Sequence, residues 1–588
     1  MKIKFQYKIA IVVAFAGLQG AYAQKKDENI GTEVVNVVKP YTPTISDAFK
    51  VKETPVIEDA QDAPKEEIKY NIFSFPVAST FAPAKGKAAT VDKEAAEKLF
   101  SNYATFGVGN YGTVNAELFV TQNLNDGQYV GGMLRHLSSQ GGIDNIVLDD
   151  NYYTTGLDVT YGSRQQDYTW NTDLGYQHQV YNWYGLPLEY QIFDEATVNG
   201  INEQQTYHTF YIGGKLTTKD SFFHEAEAQY KRFWDGFGSA ENRFFIKPSF
   251  DVDVAETKVK VDFVADYVGG TFEKDFYTPE EELDYSNFNI GVQPSILFQQ
   301  EDLSVQVGAG VFYSMGKMNG DTDNKVFIYP QVKASYKLVG DLLVAYAGAE
   351  GSLKQNSYAD FVGVNPFVSP TLTVTPTNLQ YDLYVGLKGK IAEGVVFNLR
   401  GSYLSEDDRA FFVNNNSLAI STGSELEGYS FGNSFGVLYD RLKTISFFGE
   451  LKADFSKSVA FGINGTYNSY TTDQDEAWNL PEIKVGATLD VNITTKWYAG
   501  VNLFFIGDRM DRVSVASTDP LTTEFYTQQT VTLDNYFDLN AHAGYKYNER
   551  LTGFLKLNNI TGQDYQKWVN YPVQGFQFLL GASYKFNF

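Results

Sequence analysis

The sequence predicts an all-β fold, a transmembrane antiparallel β-barrel of about 22 strands (an even number, roughly 18–24). Three observations point there. Aromatic residues make up 16 % of the chain, yet mean hydropathy is only −0.28. From about Asn102 onward the hydrophobic period is two and stays there, and the chain closes on an aromatic strand ending in Phe588. Barrel strands alternate apolar, lipid-facing residues with polar, lumen-facing ones and carry aromatic girdles at both interfaces, which reconciles many rings with a polar average.

The first 23 residues read as a secretory signal peptide. Lys2, Lys4 and Lys8 precede an apolar run from Ile9 to Leu18, and Ala21-Tyr22-Ala23 is a small-x-small cleavage site. That run is too short to span a bilayer. Residues 24–100 hold Pro40, Pro43, Pro55, Pro64, Pro76 and Pro83 among the 17 prolines of the chain, and are poorly patterned. They read as a largely irregular periplasmic or lumen-filling segment. Within it, 33–38 is a short β-prone run, and 92–100 has the pattern of a short helix capped by Asp92.

Residues 101–588 read as the barrel. In 303–313, Leu303, Val305, Val307, Ala309, Val311 and Tyr313 share one face, against Ser304, Gln306, Gly308 and Gly310. The segments 326–338 and 537–547 repeat the pattern. Each is long enough to cross a bilayer at a tilt, whereas soluble sandwiches favour strands of about 5–6 residues. Short turns near 217–221, 255–258, 299–302, 339–341, 391–394, 456–458, 494–496 and 548–550 alternate with long connections near 139–150, 182–205, 274–284, 356–376, 406–428, 472–480, 512–532 and 564–574. Short periplasmic turns and long external loops are the usual asymmetry. The alternation slips at 434–455, and one long strand there restores an even count. Closure requires the first strand, near 103–109, to pair with the last, because hydrocarbon tolerates no open sheet edge. On that last strand Phe576, Phe578, Leu580, Tyr584, Phe586 and Phe588 share a face. The address that follows is the outer membrane of a Gram-negative bacterium.

Composition excludes several function classes. Net charge is −24, so nucleic acid is not a partner. The chain has no Cys, which removes disulfides, thiolate metal sites and cysteine nucleophiles. The five histidines, His136, His178, His208, His224 and His542, fall in different predicted strands; His542, on the lumen face beside Asp538 and Asn540, offers a base or metal ligand, with a polar lumen residue as the plainer role. No catalytic, cofactor or resident metal site is expected, and the protein is not expected to be an enzyme. The acidic stretches 273–284, 406–408 and 473–476 offer oxygen ligands for Ca²⁺, with a solvated rim as the plainer role. Two predicted loops carry aromatics, Trp183 and Tyr184 in one and Phe361 and Phe367 in the other. Such rings either contact a partner or ligand or pack into the barrel mouth.

The run Asn535-Tyr536-Phe537-Asp538-Leu539-Asn540, then Leu555-Lys556-Leu557-Asn558-Asn559-Ile560, Tyr565 and the 576–588 strand together resemble the C-terminal strands of TonB-dependent receptors. The resemblance implies a nutrient importer with an N-terminal plug, preceded by a box that recruits an energising protein. Glu33, Val34, Val35 and Val37 resemble that box. The stretch 24–100 is too short for the family's plug. On sequence alone, the balance falls to a non-enzymatic subunit or scaffold of a larger outer-membrane assembly, secretion or transport complex, partnered by outer-membrane lipid and by other outer-membrane or periplasmic proteins. The alternatives are a TonB-dependent receptor-like nutrient transporter or a passive channel.

Overall fold

The computed structural model describes residues 99–588, apart from 220, 255–256, 419–425 and 517–525. The signal peptide, the 33–38 box and nearly all of the 24–100 segment lie outside the described residues. Twenty-two strands, from Asn102–Gly109 to Gln577–Phe586, form one antiparallel sheet. Each pairs with its sequence neighbours, and the first pairs with the last from Asn102↔Phe586 to Gly109↔Leu579. The ladder is therefore closed, and the strand count agrees with the one read from the periodicity. No described helix is long and apolar enough to cross a membrane.

Alternation places the side chains as expected. In Leu303–Met318 the exposed residues include Leu303, Val307, Val311 and Tyr313, while Phe312 and Ser314 are buried inward. Val326 and Ile328 face out in Asp321–Val339, and Phe327 and Tyr329 face in. Outward apolar residues such as Val385, Leu399, Phe447 and Leu580 recur around the wall and are more than half exposed. In water this belt would be a large unfavourable surface; against lipid it is the stabilising one. Near the periplasmic end, Tyr161 with Trp170 and Trp497 with Tyr545 make ring contacts of 5.4 and 4.7 Å between centroids. The inner wall is lined by charge pairs such as Arg243–Asp266 (2.7 Å) and Lys333–Glu350 (3.0 Å).

The irregular run at 434–455 is one strand, Phe435–Ser456, the longest in the barrel at 22 residues. Its partner corrects one expectation. Residues 406–408 belong to the strand Val395–Asn414, not to a loop. The register shifts between Glu406 and Arg409, where Asp408 takes φ 53°, and this bulge interrupted the period. Asp407 there meets Arg441 Nε at 3.1 Å, and Glu406 meets Arg409 Nη1 at 3.5 Å. Two long connections carry hairpins of their own, Arg509–Ala516 with Tyr526–Leu533 and Gln566–Trp568 with Tyr571–Pro572. Three external turns, at 110–113, 236–239 and 319–320, are short.

Candidate functional site

The largest buried cluster lies at the external mouth, where loops from well-separated wall strands meet. The 355–376 connection begins with the helix Tyr358–Val364, capped by Ser357, whose Oγ accepts Asp360 N at 3.1 Å. The helix start is held by the carboxylate of Glu241 on the inner wall, which accepts Tyr358 N at 2.6 Å and Ala359 N at 3.3 Å. A carboxylate at this position satisfies orphan N–H groups and faces the positive end of the helix. Glu241 also accepts Tyr285 Oη (2.6 Å), and Asp235 accepts Tyr358 Oη (2.7 Å). Further along, Pro366 O accepts Tyr207 Oη at 2.8 Å, and Val374 O accepts Asn287 Nδ2 at 3.0 Å. Phe435 N donates to Phe367 O (3.0 Å) and Tyr439 Oη to Thr373 O (3.0 Å). The loop thus leaves the wall after Leu343–Lys354, touches the strands around 204–300, and returns to Phe435–Ser456. Spanning those positions takes it across the lumen.

At its middle, Phe367 stacks on Tyr571 with centroids 3.8 Å apart, and Tyr184 sits 4.8 Å from Tyr571 and 5.6 Å from Phe367. Trp183 donates Nε1 to Phe367 O at 3.1 Å and is 1 % exposed. Asn433 ties a third loop in by donating to Trp183 O and Gly428 O, both at 2.8 Å. Trp568 adds contacts with Phe412 and Phe435. Burial pushes the phenols of Tyr184, Tyr358 and Tyr571 far above their ordinary range, so all three are neutral donors.

The structure therefore brings three of the four sequence-predicted loop aromatics, Trp183, Tyr184 and Phe367, into one knot. Phe361 lies in the same core, 5.8 Å from Phe412. They face each other rather than solvent. Glu241, Asp235, Asn433 and Tyr571 were not singled out by the sequence. Glu241 and Asp235 showed only as acidic residues near strand ends, and Asn433 and Tyr571 only as an amide and a ring in long connections. His542 points inward, with Nε2 3.6 Å from Asp490 Oδ1. Among the described residues, no three His, Asp or Glu side chains converge as a metal site.

The hairpin Arg509–Ala516/Tyr526–Leu533 packs on this cap through Val513 and Leu533. Asp511 in it is fully buried, with Oδ1 accepting Arg512 N at 2.8 Å. Burial raises its pKa from 3.8 to about 6. The folded hairpin thus binds the proton more tightly than an open one. The stabilising contribution is complete below pH about 4 and is lost as pH rises through about 6, up to about 3 kcal/mol. Hydrogen exchange corrected for intrinsic rates should show the strands 509–516 and 526–533 opening more often at pH 7.5 than at pH 5. Asp511→Asn should flatten that dependence.

Neither a family model nor a curated protein matches the sequence. Solved structures do match its fold. The ferripyoverdine receptor of the outer membrane of Pseudomonas aeruginosa aligns with TM-score 0.60 and 13 % identity, over 84 % of this chain and 72 % of that one. The copper transporter OprC gives 0.58 and 12 %, over 84 % of each chain. The siderophore receptor PirA from Acinetobacter baumannii gives 0.58 and 12 %, over 84 % and 81 %. These neighbours are TonB-dependent outer-membrane receptors. At such identities the likeness establishes the shared 22-strand barrel. Together with the apolar outer belt, it places the chain in the outer membrane of a Gram-negative bacterium.

Proposed function

We propose that this barrel is a receptor-type transporter whose solute enters through the lumen once the loop cap at the external mouth opens. One observation carries the reading: a 22-strand barrel, of the kind used by siderophore receptors and a copper transporter, has its external loops packed together across the mouth. The sequence alone leans to a scaffold role because 24–100 is short for a plug, so nothing in it looks movable. The cap supplies a different movable element, anchored by a few hydrogen bonds on Glu241, Asp235 and Tyr207. Wide barrels need an occluding element, and a cap that seals one mouth also recognises what opens it. The 33–38 run serves, in this reading, as the contact for a periplasmic energising partner.

Purified barrel in planar bilayers should be almost silent without ligand, because the cap closes the mouth. A constant large conductance would instead make it a passive channel. Titration with ferric siderophores and with copper, followed by the fluorescence of the cap residues Trp183 and Trp568, tests recognition. No response to any, together with a stoichiometric outer-membrane partner in gently extracted material, would favour the scaffold.

A further inference from the structure

We propose that a diphosphorylated lipid of the outer leaflet seats on the outer wall of the barrel, its phosphates on a polar row that carries Arg232 and Lys317 and its chain in an apolar groove beneath. The register defines the row. Arg232, Asn242, Gly269, Ser286, Lys317 and Thr322 lie directly opposite one another across consecutive strands, near the external end. One pleat further into the membrane, Phe244, Tyr267, Phe288 and Met315 form a parallel row. Phe244 and Tyr267 are 47 % and 40 % exposed, which identifies this as the outward face. A basic, polar row above an aromatic one is what the boundary between headgroups and acyl chains selects.

Between the rows the wall is recessed. A groove of about 590 Å³ is lined by Tyr267, Phe288 and Met315, with Ser286, Lys317 and Asn324 on its rim. Gly269 leaves room for the Tyr267 hydroxyl to lie over the polar row, since a Cβ there would fall 2.3 Å from Tyr267 Oη. Apolar lining on the membrane-facing wall calls for a hydrocarbon chain, and a cationic rim calls for an anionic headgroup. Arg232 Nη1 donates to Asn242 Oδ1 at 3.1 Å, and neither Arg232 nor Lys317 pairs with a carboxylate among the described residues. Asp284, at the strand end on the same face, accepts Thr271 Oγ1 at 2.9 Å.

A second feature extends the headgroup band. His136, Thr155, His178, His208 and Trp234 occupy one continuous cross-strand row just above Arg232. The rings of His178 and His208 are 4.7 Å apart, those of His208 and Trp234 5.0 Å, and Arg232 Cζ lies 6.0 Å from the Trp234 ring. Three imidazoles and a guanidinium on a lipid-facing surface supply donors where phosphates lie. They have no role in the lumen.

Native mass spectrometry of the full-length barrel, titrated with diphosphoryl lipid A and with the same lipid after phosphatase treatment, tests this. The untreated lipid should bind at least tenfold more tightly. Lys317→Ala should weaken it about fivefold, and adding Arg232→Gln about twenty-fivefold, given the usual contribution of a basic residue at an anionic surface. Ser286→Trp, which fills the groove, should remove binding of both forms. Equal binding of the two lipids to the unmodified protein overturns the proposal without recourse to any variant. So does undiminished binding by the Lys317→Ala/Arg232→Gln barrel once its heat-dependent gel mobility shows that it is folded.

Discussion

Replacing Gly581 by valine is expected to abolish the folded barrel, read as loss of the heat-dependent shift in gel mobility and of protease resistance. Gly581 sits on the last strand opposite Gly107 of the first, at the seam that closes the ladder. A Cβ on Gly581 would lie 2.4 Å from Phe106 O, 2.4 Å from the Phe554 ring and 2.8 Å from Gly107 Cα. Two of those neighbours are backbone, so no rotamer relieves the clash. The ring of Phe554, 5 % exposed, fills the space that two facing glycines leave on the inner side. Valine there separates the strands, and an unpaired strand edge in hydrocarbon costs several kcal/mol per orphaned group. Ala582→Val, one residue on and facing lipid, is the control and should assemble normally. A folded Gly581→Val barrel would show that the seam is looser than the register implies.

That seam shows what the sequence made legible. Alternation from Phe576 to Phe588 marks a membrane strand, and the need for closure names its partner before any coordinates are known. The same logic yields the count of 22, because a period of two is set by the pleat and does not depend on distant contacts. The site was less legible for the opposite reason. Trp183 and Phe361 look like exposed loop tips, and their burial depends on Tyr429 and Phe412, which lie hundreds and tens of residues away. Glu241 looks like an ordinary lumen residue; it becomes an anchor only because the helix Tyr358–Val364 arrives with its N–H groups bare. His136, His178 and His208 are scattered in sequence, and only the register aligns them into one row. Local periodicity carries the wall, whereas tertiary contact carries the mouth and the outer rim.

Glu241→Ala should open the mouth. The carboxylate takes three donors, Tyr358 N, Ala359 N and Tyr285 Oη, and Tyr358 is fully buried. Removing the acceptor leaves these donors without partners in a dry site, at about 1–3 kcal/mol each. The other anchors are single contacts, among them Tyr358 Oη on Asp235, Tyr207 Oη on Pro366 O, Asn287 Nδ2 on Val374 O, Tyr439 Oη on Thr373 O, and the half-exposed Asp360 on Arg243 Nη1 at 3.0 Å. A loss of several kcal/mol is enough to shift a loop from rarely to mostly open, since local opening costs less than global unfolding. Bilayer recordings should pass from near silence to frequent large steps, and the cap tryptophans Trp183 and Trp568 should shift their emission to the red. The backbone ladder of Ala240–Val254 does not use the Glu241 side chain, so heat-dependent mobility should persist. Glu241→Gln keeps an acceptor oxygen of nearly the same shape but turns its other end into a donor, and it should fall between the two. Silence and unshifted emission from a folded Glu241→Ala barrel would mean that the knot around Phe367 and Tyr571 holds the mouth by itself. The movable element would then have to be sought on the periplasmic side.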